Sequence, residues 1–321
     1  MFTGAAYCGI IKYIRAVWIG GGGTVFPAKV RICAKVNLSL NISGTSGGMH
    51  LIDTVVAPVD IYDTVCAKPR ADTLVNVYMH GRGSESIPPE ANNAVKAGEA
   101  FVAAFGTRGA DIEIYKDIPM GAGLGGSSAD AAGVLNALAK LYKVGDRAAL
   151  KEIADSLGSD TGYMLGGGFA RLTGRGERAE PLSCPKDLHM LLFLPPSPVS
   201  TAECYRRYDA APDPLRADSA RLAAALERGD TAAVAQNVYN ALQKPACALN
   251  AEVAEALEAA ASFSPLACAV TGSGSAVFAL FGSEELCRWA KSRYRGKLPA
   301  RVVRAAATRR PQMPRNPFVL G

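Results

Sequence analysis

The chain is organised around one glycine-rich stretch, Ile118-Pro-Met-Gly-Ala-Gly-Leu-Gly-Gly-Ser-Ser-Ala-Asp130. Before it, residues 110–115 alternate apolar and polar side chains, which predicts a half-buried strand. After it, residues 131–142 place three leucines and a valine on one stripe, which predicts a helix. Glycines let a backbone wrap around a ligand without Cβ clashes, and a helix N-terminus offers unpaired N–H groups. Strand, loop and helix together therefore predict a cradle for a phosphate group.

Two other glycine loops share this shape. A Walker A loop ends in Gly-Lys-Ser/Thr, and the chain has no lysine between Lys116 and Lys140, which excludes that loop. The spacing Gly121-x-Gly123-x-x-Gly126 matches the dinucleotide fingerprint, but no second strand ending in an acidic residue follows about 20 residues later. The dinucleotide match is therefore weak. A turn without a ligand remains the alternative, because glycine-rich turns between a strand and a helix are common.

Composition predicts a globular protein that works in a reducing cytoplasm. The chain has 321 residues, of which 49% are hydrophobic and 20% charged, and this length allows two domains. No apolar run approaches the roughly 20 residues of a membrane helix. The eight cysteines form no CxxC pair and the three histidines no HExxH motif, which argues against zinc and for buried thiols.

The two ends of the chain differ in composition from the rest. Residues 1–25 lack a convincing signal peptide, and we expect an unstructured extension or sequence upstream of the true start. From Arg288 onward there are ten basic and no acidic residues. A basic segment can attract nucleic acid or a membrane surface. No aromatic side chains interleave with the arginines of the tail at 309–321, so we expect a solvated tail and no nucleic-acid or membrane partner.

Periodicity along the chain predicts an α+β protein. Residues 28–42 are expected to form a strand with one apolar face, and a lysine on the opposite face, such as Lys35, is ordinarily exposed to solvent. A second strand over 49–59 is expected to break at Pro58, and Asp160 is ordinarily a turn or cap residue. Helices are predicted over 91–105, 146–157, 217–228, 231–243, 250–262 and from Glu284, and further strands over 64–77, 169–172, 188–194 and 301–303. Residues 267–281 are predicted as strand, turn at 272–275 and strand, which by itself is a simple hairpin.

A shift in composition near residues 181–185 marks the predicted domain boundary. We expect an N-terminal domain over 26–182 and a C-terminal domain over 186–308.

Three separated segments then occur in a recognisable order, Ala34-Lys-Val-Asn-Leu38, Pro119 to Asp130, and Val270-Thr-Gly-Ser-Gly-Ser275. They resemble the three motifs of the GHMP kinases, named after galactokinase and the homoserine, mevalonate and phosphomevalonate kinases. The resemblance extends over about residues 27–281, supported by Gly48-Met-His50, Gly158-Ser-Asp160 and Pro195 to Tyr205. It implies a two-domain α+β GHMP kinase fold. The N-terminal domain would be like ribosomal protein S5 domain 2, and the C-terminal domain would be ferredoxin-like.

The resemblance implies an enzyme that uses ATP and Mg²⁺. Lys35 and Asp160 would be catalytic, with Asp160 accepting or orienting the proton of the acceptor hydroxyl. A second glycine loop, Gly272, Ser273 and Gly274, would line the cleft from the C-terminal domain. The ATP-binding residues would be Pro119, Met120, Gly121, Ala122, Gly123, Leu124, Gly125, Gly126, Ser127, Ser128 and Ala129. The residues leave open which loop serine, Ser127 or Ser128, would meet the metal ion, and no other metal ligand is assigned.

Within the superfamily, the chain is most similar to the branch that acts on a cytidine-diphosphate-linked methylerythritol. That branch phosphorylates the 2-hydroxyl of this small molecule in the non-mevalonate isoprenoid pathway, and Asn37, His50 and Thr201 would hold its cytidine diphosphate end. The expected protein is a cytoplasmic monomer or homodimer. The alternatives are a GHMP kinase for a mevalonate-type, sugar or homoserine acceptor, or a non-catalytic nucleotide-binding protein.

The chain departs from the family pattern at three points. Met49 stands where relatives carry a tyrosine that would stack on cytosine, and Ser127 stands where they carry a third glycine. Asp160 is followed by Thr161-Gly162 instead of Val-Pro. These departures affect the contacts to the base more than the reaction class.

Overall fold

The computed structural model describes residues 17–19, 23–81, 88 and 92–306. They form two compact units that alternate along the sequence. The first unit comprises the described residues of Met1–Ile32, Tyr62–Asp117 and Ser127–Leu165. The second comprises those of Cys33–Ile61, Ile118–Gly126 and Gly166–Gly321. The predicted basic tail lies outside the described residues. The domain boundary near 182–186 stays a prediction.

The first unit packs helices on a small sheet. The later part of β4 (Met49–Pro69) pairs antiparallel with β6 (Ala110–Tyr115), and β6 pairs parallel with β5 (Val75–His80). The core of this unit includes Phe101, Ile112 and Leu135, all fully buried. Its helices are α1 (Asn93–Phe105), α2 (Gly126–Tyr142), α3 (Arg147–Leu157) and α4 (Thr161–Gly166).

The second unit contains two groups of strands. One group runs in the order β10, β3, β4, β7, β8, with β10 parallel to β3. The other is a four-stranded antiparallel sheet in the order β11, β12, β9, β13. The strands not yet bounded are β3 (Ala28–Ser46), β7 (Phe169–Gly174), β8 (Arg178–Leu182), β9 (Leu188–Phe193), β10 (Tyr239–Asn240), β11 (Ala267–Val270), β12 (Val277–Phe281) and β13 (Ala300–Ala305).

Six helices complete the second unit and cover its apolar core. Phe193, Val270 and Ala279 of the four-stranded sheet lie in this core, and all three are buried. Five of the six helices begin behind a Ser, Asp or Asn whose side chain accepts a hydrogen bond from a first-turn N–H group. The helices are α5 (Thr201–Ala210), α6 (Ser219–Arg228), α7 (Thr231–Ala235), α8 (Gln243–Leu249), α9 (Ala251–Ala261) and α10 (Glu284–Arg293).

Pro58 does not break its strand, so that prediction was wrong. β4 is continuous over 21 residues. It pairs with β7 over residues 52–56 and with β6 over residues 64–69. Pro58 lies between these two stretches, so its missing N–H removes no ladder hydrogen bond there.

The predicted helix over 231–243 was also wrong. The segment forms the short helix α7, then strand β10, then the start of α8. Helix α7 ends at Ala235, and Asn240 lies in β10. The Asn240 side chain bonds distant backbone groups, with Nδ2 donating to the carbonyl oxygens of Val270 at 2.7 Å and Gly272 at 2.8 Å, which favours the strand over a continued helix.

Smaller differences concern element boundaries and the N-terminal extension. The predicted strand over 64–77 is the end of β4 and the start of β5, and α4 occupies a segment predicted as a turn. Within the predicted unstructured extension, β1 (Val17–Ile19) pairs antiparallel with β2 (Gly23–Val25).

Candidate active site

The glycine loop adopts a backbone that only glycine tolerates well. Gly121, Gly123 and Gly125 have φ angles of 64°, 73° and 76°. A Cβ atom on Gly123 would lie 2.2 Å from the carbonyl oxygen of Thr271. The loop therefore runs closely against a second turn at residues 271–275, and the Ala276 N–H donates to the Ala122 carbonyl oxygen at 3.1 Å. Both loops belong to the second unit.

The second glycine turn joins β11 to β12, as the sequence predicted for this hairpin. Gly272 and Gly274 have φ angles of 57° and 89°. The Thr201 and Ser273 hydroxyls lie 2.8 Å apart, so the predicted substrate residue Thr201 contacts the predicted cleft loop. The structure thus brings four predicted site residues, Thr201 and Gly272 to Gly274, into one place.

Lys35 is buried in β3, with 5% of its surface exposed, so the ordinary expectation of a solvent-facing lysine was wrong. Its Nζ donates to Asn37 Oδ1 at 2.6 Å, and its backbone N–H donates to the Leu124 carbonyl oxygen of the glycine loop at 3.1 Å. Burial of an ammonium group is unfavourable unless polar groups surround it. This strand therefore has two buried faces, and the polar one presents a cation next to the glycine loop.

Two threonines position Asn37: Thr54, which received no role from the sequence, and Thr271, which was expected to line the cleft. Thr54 Oγ1 accepts from Asn37 Nδ2 at 2.8 Å and donates to the Ser39 carbonyl oxygen. Thr271 Oγ1 accepts from the Asn37 N–H at 2.9 Å and lies 3.3 Å from Asn37 Oδ1. Both threonines are fully buried. In the sequence, the role of Thr54 could have been suspected because this polar residue stands within the apolar run of β4.

His50, at the start of β4, contacts two residues of α5. Its ring stacks on Tyr205 with the centroids 4.4 Å apart, and its Nε2 lies 2.8 Å from Asp209 Oδ1. A carboxylate only accepts hydrogen bonds, so Nε2 carries the proton. Tyr205 and Asp209 are four residues apart and share one face of α5. Met49 is 45% exposed, and the aromatic neighbour of His50 is Tyr205.

The remaining predicted residues lie in the first unit. Ser127 and Ser128 occupy the first turn of α2, and Ser127 Oγ accepts from Asn93 Nδ2 at 3.2 Å. A Cβ atom on Gly158 would lie 3.9 Å from Ser128 Oγ, so this serine is near the turn that carries Asp160. Asp160 is half-buried, and its carbonyl oxygen accepts from the Met164 N–H at 3.0 Å in α4.

A buried charged cluster was missed from the sequence. Lys116 Nζ donates to Asp63 Oδ2 at 2.5 Å and to Asp130 Oδ2 at 2.6 Å. Burial, opposed by the charge of Lys116, raises the pKa of Asp130 to about 7. Asp130 ends the opening glycine-rich stretch and Lys116 precedes it, but nothing local indicated that Asp63 would join them.

Thiols and acidic groups in the described residues show no arrangement for a bound metal. The described part of the chain has no group of three or more His, Cys, Asp or Glu side chains that could hold a metal ion. Its cysteines are free, and burial raises the pKa of Cys204 to about 11. Cys184, Cys204 and Cys287 are buried as predicted, whereas Cys33, Cys66, Cys247 and Cys268 are half-buried. None of the described helices is long and apolar enough to cross a membrane.

The relatives most similar in sequence to this chain include kinases. The GHMP kinase N-terminal domain family matches residues 92–170, and the GHMP kinase C-terminal family matches residues 222–293. A 4-diphosphocytidyl-2-C-methyl-D-erythritol kinase of Pelotomaculum thermopropionicum is 38% identical over 267 residues, which cover 82% of this chain and 92% of the relative. The kinase of the same name from Streptomyces coelicolor is 39% identical, over 76% of this chain and 84% of the relative.

Solved structures agree with these relatives. A crystal structure of 4-(cytidine 5'-diphospho)-2C-methyl-D-erythritol kinase matches with a TM-score of 0.72 at 30% identity, over 87% of this chain and 100% of that one. Homoserine kinase from Cytophaga hutchinsonii shares the fold with a TM-score of 0.68 at 19% identity, over 88% of this chain and 95% of that one. The predicted α+β GHMP kinase fold is confirmed. The chain belongs to the 4-diphosphocytidyl-2-C-methyl-D-erythritol kinase family of the GHMP kinases.

Proposed function

We propose that this protein transfers the γ-phosphoryl group of ATP to the 2-hydroxyl of 4-diphosphocytidyl-2-C-methyl-D-erythritol, in the non-mevalonate route to isoprenoid precursors. One observation carries the proposal most directly. The buried Lys35 ammonium is held on Asn37 beside a loop that has three glycines at positive φ. A desolvated cation next to such a loop suits a phosphate that gains charge during transfer.

The donor would bind on the glycine loop. Its N–H groups supply partial positive charge to the ATP phosphates, and the first turn of α2 adds the positive end of its dipole. The serine hydroxyls fit Mg²⁺, which takes oxygen ligands and is usually bound through few protein groups together with the substrate's phosphates. Ser127 or Ser128 would hold the ion, which when bound neutralises phosphate charge.

In the transfer step, the protein positions the reactants and stabilises charge, and it forms no covalent bond to the phosphoryl group. The acceptor 2-oxygen forms a bond to the γ-phosphorus while the bond from that phosphorus to the ADP oxygen breaks, and the hydroxyl proton passes to Asp160. Lys35 stabilises the negative charge that spreads over the transferred group. ADP leaves, and Asp160 returns its proton to water.

The cytidine end of the acceptor would lie at His50, Tyr205 and Thr201. A pyrimidine ring can extend the stack that His50 and Tyr205 already form, and so replace the aromatic that Met49 does not provide. The Thr201 hydroxyl can turn from Ser273 to a diphosphate oxygen. We infer a cytoplasmic small-molecule kinase that is a monomer or homodimer and has no nucleic-acid or membrane partner.

The test is an ATP-consumption assay with four acceptors in parallel: 4-diphosphocytidyl-methylerythritol, mevalonate, galactose and homoserine. We expect turnover with the first alone and a product phosphorylated at the 2-position by NMR. Lys35→Met should retain the fold by circular dichroism and lose transfer by orders of magnitude. Faster turnover of mevalonate, galactose or homoserine would refute the assignment of the acceptor.

A further inference from the structure

The buried charged cluster connects the two chain segments that flank the glycine loop. Lys116 Nζ donates to Asp63 and to Asp130, and Asp63 Oδ1 also accepts from the backbone N–H of Asp117 at 2.7 Å. The side chains of Lys116, Asp63 and Asp130 are 4%, 0% and 5% exposed. These three residues are called the clasp below. Asp117 is the last residue before the loop, and Asp130 lies in the second turn of the helix after it.

We propose that the clasp is a positioning device for the nucleotide, which fixes the distance between the two ends of the glycine loop. The proposal rests on the nucleotide site assigned to this loop above. Glycines have the widest backbone freedom of all residues, so a loop with three glycines at positive φ has little preference of its own. Its ends therefore help to set its shape, together with the hydrogen bonds that the Lys35 and Ala276 N–H groups donate to its backbone. A displacement of about 1 Å in a phosphate cradle is enough to cost about a hundredfold in function.

The charges of the clasp separate this role from a purely structural one. It holds one ammonium and two carboxylates, and Asp130 Oδ1 has no hydrogen-bond partner within the part of the chain that the structure describes. The Lys116–Asp63 pair alone is already neutral. Asp130 is therefore not required to balance the charge of Lys116. What the second carboxylate adds is a link between α2 and Lys116.

The test uses two substitutions at Asp130. Asp130→Ala removes the link but leaves the Lys116–Asp63 pair neutral, so we expect the protein to fold. We expect the Kd for Mg·ADP, measured by isothermal titration calorimetry, to rise about tenfold or more, and KM for ATP with it, while KM for the acceptor stays unchanged. Asp130→Asn keeps an oxygen that can accept from Lys116, and we expect it to stay within about threefold of the wild-type Kd.

Lys68→Met is the matched control. It breaks the Lys68–Glu113 pair, which has a 2.8 Å contact in the same unit and joins β4 to the strand before the loop, but makes no link to α2. We expect its Kd for Mg·ADP to equal that of the wild type. A wild-type Kd for Asp130→Ala would overturn the proposal. A fall in kcat with both KM values unchanged would also overturn it, and so would a failure of Asp130→Ala to fold. Each of these results would mean that the clasp serves folding and does not position the nucleotide. Because Mg·ADP binding needs no acceptor, a wrong acceptor assignment would show only in the four-acceptor assay.

Discussion

Gly123→Ala and Gly48→Ala form a matched pair of substitutions. The two glycines have nearly the same φ, 73° and 75°, and both belong to the second unit. A Cβ on Gly48 meets nothing within 4 Å, whereas a Cβ on Gly123 lies 2.2 Å from the Thr271 carbonyl oxygen and 3.0 Å from that of Gly274. The cost of placing an alanine at positive φ is the same in both variants and cancels in the comparison. The difference between their free energies of unfolding therefore measures how tightly the glycine loop packs on the turn at 271–275.

The magnitudes follow from these contacts. An alanine at positive φ costs about 1–2 kcal/mol, which is the full effect expected for Gly48→Ala. At Gly123 the new carbon would sit about 1 Å inside an ordinary C···O contact, so one segment has to move. Overpacking of this kind adds about 1–3 kcal/mol, and a broken Ala276–Ala122 hydrogen bond adds about 1 kcal/mol. We expect Gly123→Ala to lose about 3–6 kcal/mol of stability in all.

The assay is urea unfolding followed by circular dichroism, with KM for ATP measured at a temperature where both variants are folded. Gly123→Ala should also raise KM for ATP about tenfold or more, because the loop moves away from its cradle geometry. Gly48→Ala should leave KM for ATP unchanged. Equal losses of unfolding free energy in the two variants, within about 0.5 kcal/mol, would refute the close approach of the two loops.

Four further predictions concern single contacts. Asp160→Asn should fold and bind Mg·ADP normally but lose turnover by orders of magnitude, and a near wild-type rate in the coupled assay would remove Asp160 from the mechanism. Tyr205→Leu should raise KM for the acceptor about tenfold and leave KM for ATP unchanged, because stacking on a base contributes about 1–3 kcal/mol; equal effects on both substrates would contradict a base contact. Thr54→Val should lower the free energy of unfolding by about 1–3 kcal/mol, because Asn37 Nδ2 loses its acceptor, and urea titration measures this. Chelation with EDTA should abolish turnover, and added Mg²⁺ should restore it; activity that survives EDTA would exclude a required ion.

Local patterns predicted much of the fold. The strand at 110–115, the helices at 93–105 and 147–157 and the hairpin at 267–281 lie where periodicity and capping residues placed them. The helix of the opening stretch begins at Gly126, five residues before the predicted start at Ala131. Glycine has low helix propensity and serine favours caps, so the apolar stripe marked the helix while Gly126 to Ser128 were expected only to precede or cap it. Tertiary contacts also explain why the predicted helix over 231–243 was wrong. The alanine-rich pattern favours a helix, but it does not show the hydrogen bonds that Asn240 donates to distant carbonyl groups.

The candidate site was predicted in its parts and not in its contacts. The motifs identified Lys35, Asn37 and both glycine loops, but Thr54, Tyr205 and the clasp received no role, and the contact of Thr271 with Asn37 was not predicted. Each of these acts through a partner that is distant in the sequence, such as Thr271, which lies 234 residues from Asn37. Spacing along a chain reports neighbours within one helix or strand, and it carries no information about which distant segments meet.

The sequence by itself determined which elements form and which family the chain resembles, because periodicity, capping and glycine spacing act over a few residues. Only the tertiary structure decided that Lys35 is buried. An alternating strand looks the same whether its polar face meets water or a second layer of protein. The tertiary structure also decided how the glycine loop is held. Its backbone angles are available to any glycine, and the close approach of Thr271 is what restricts Gly123 to this residue type.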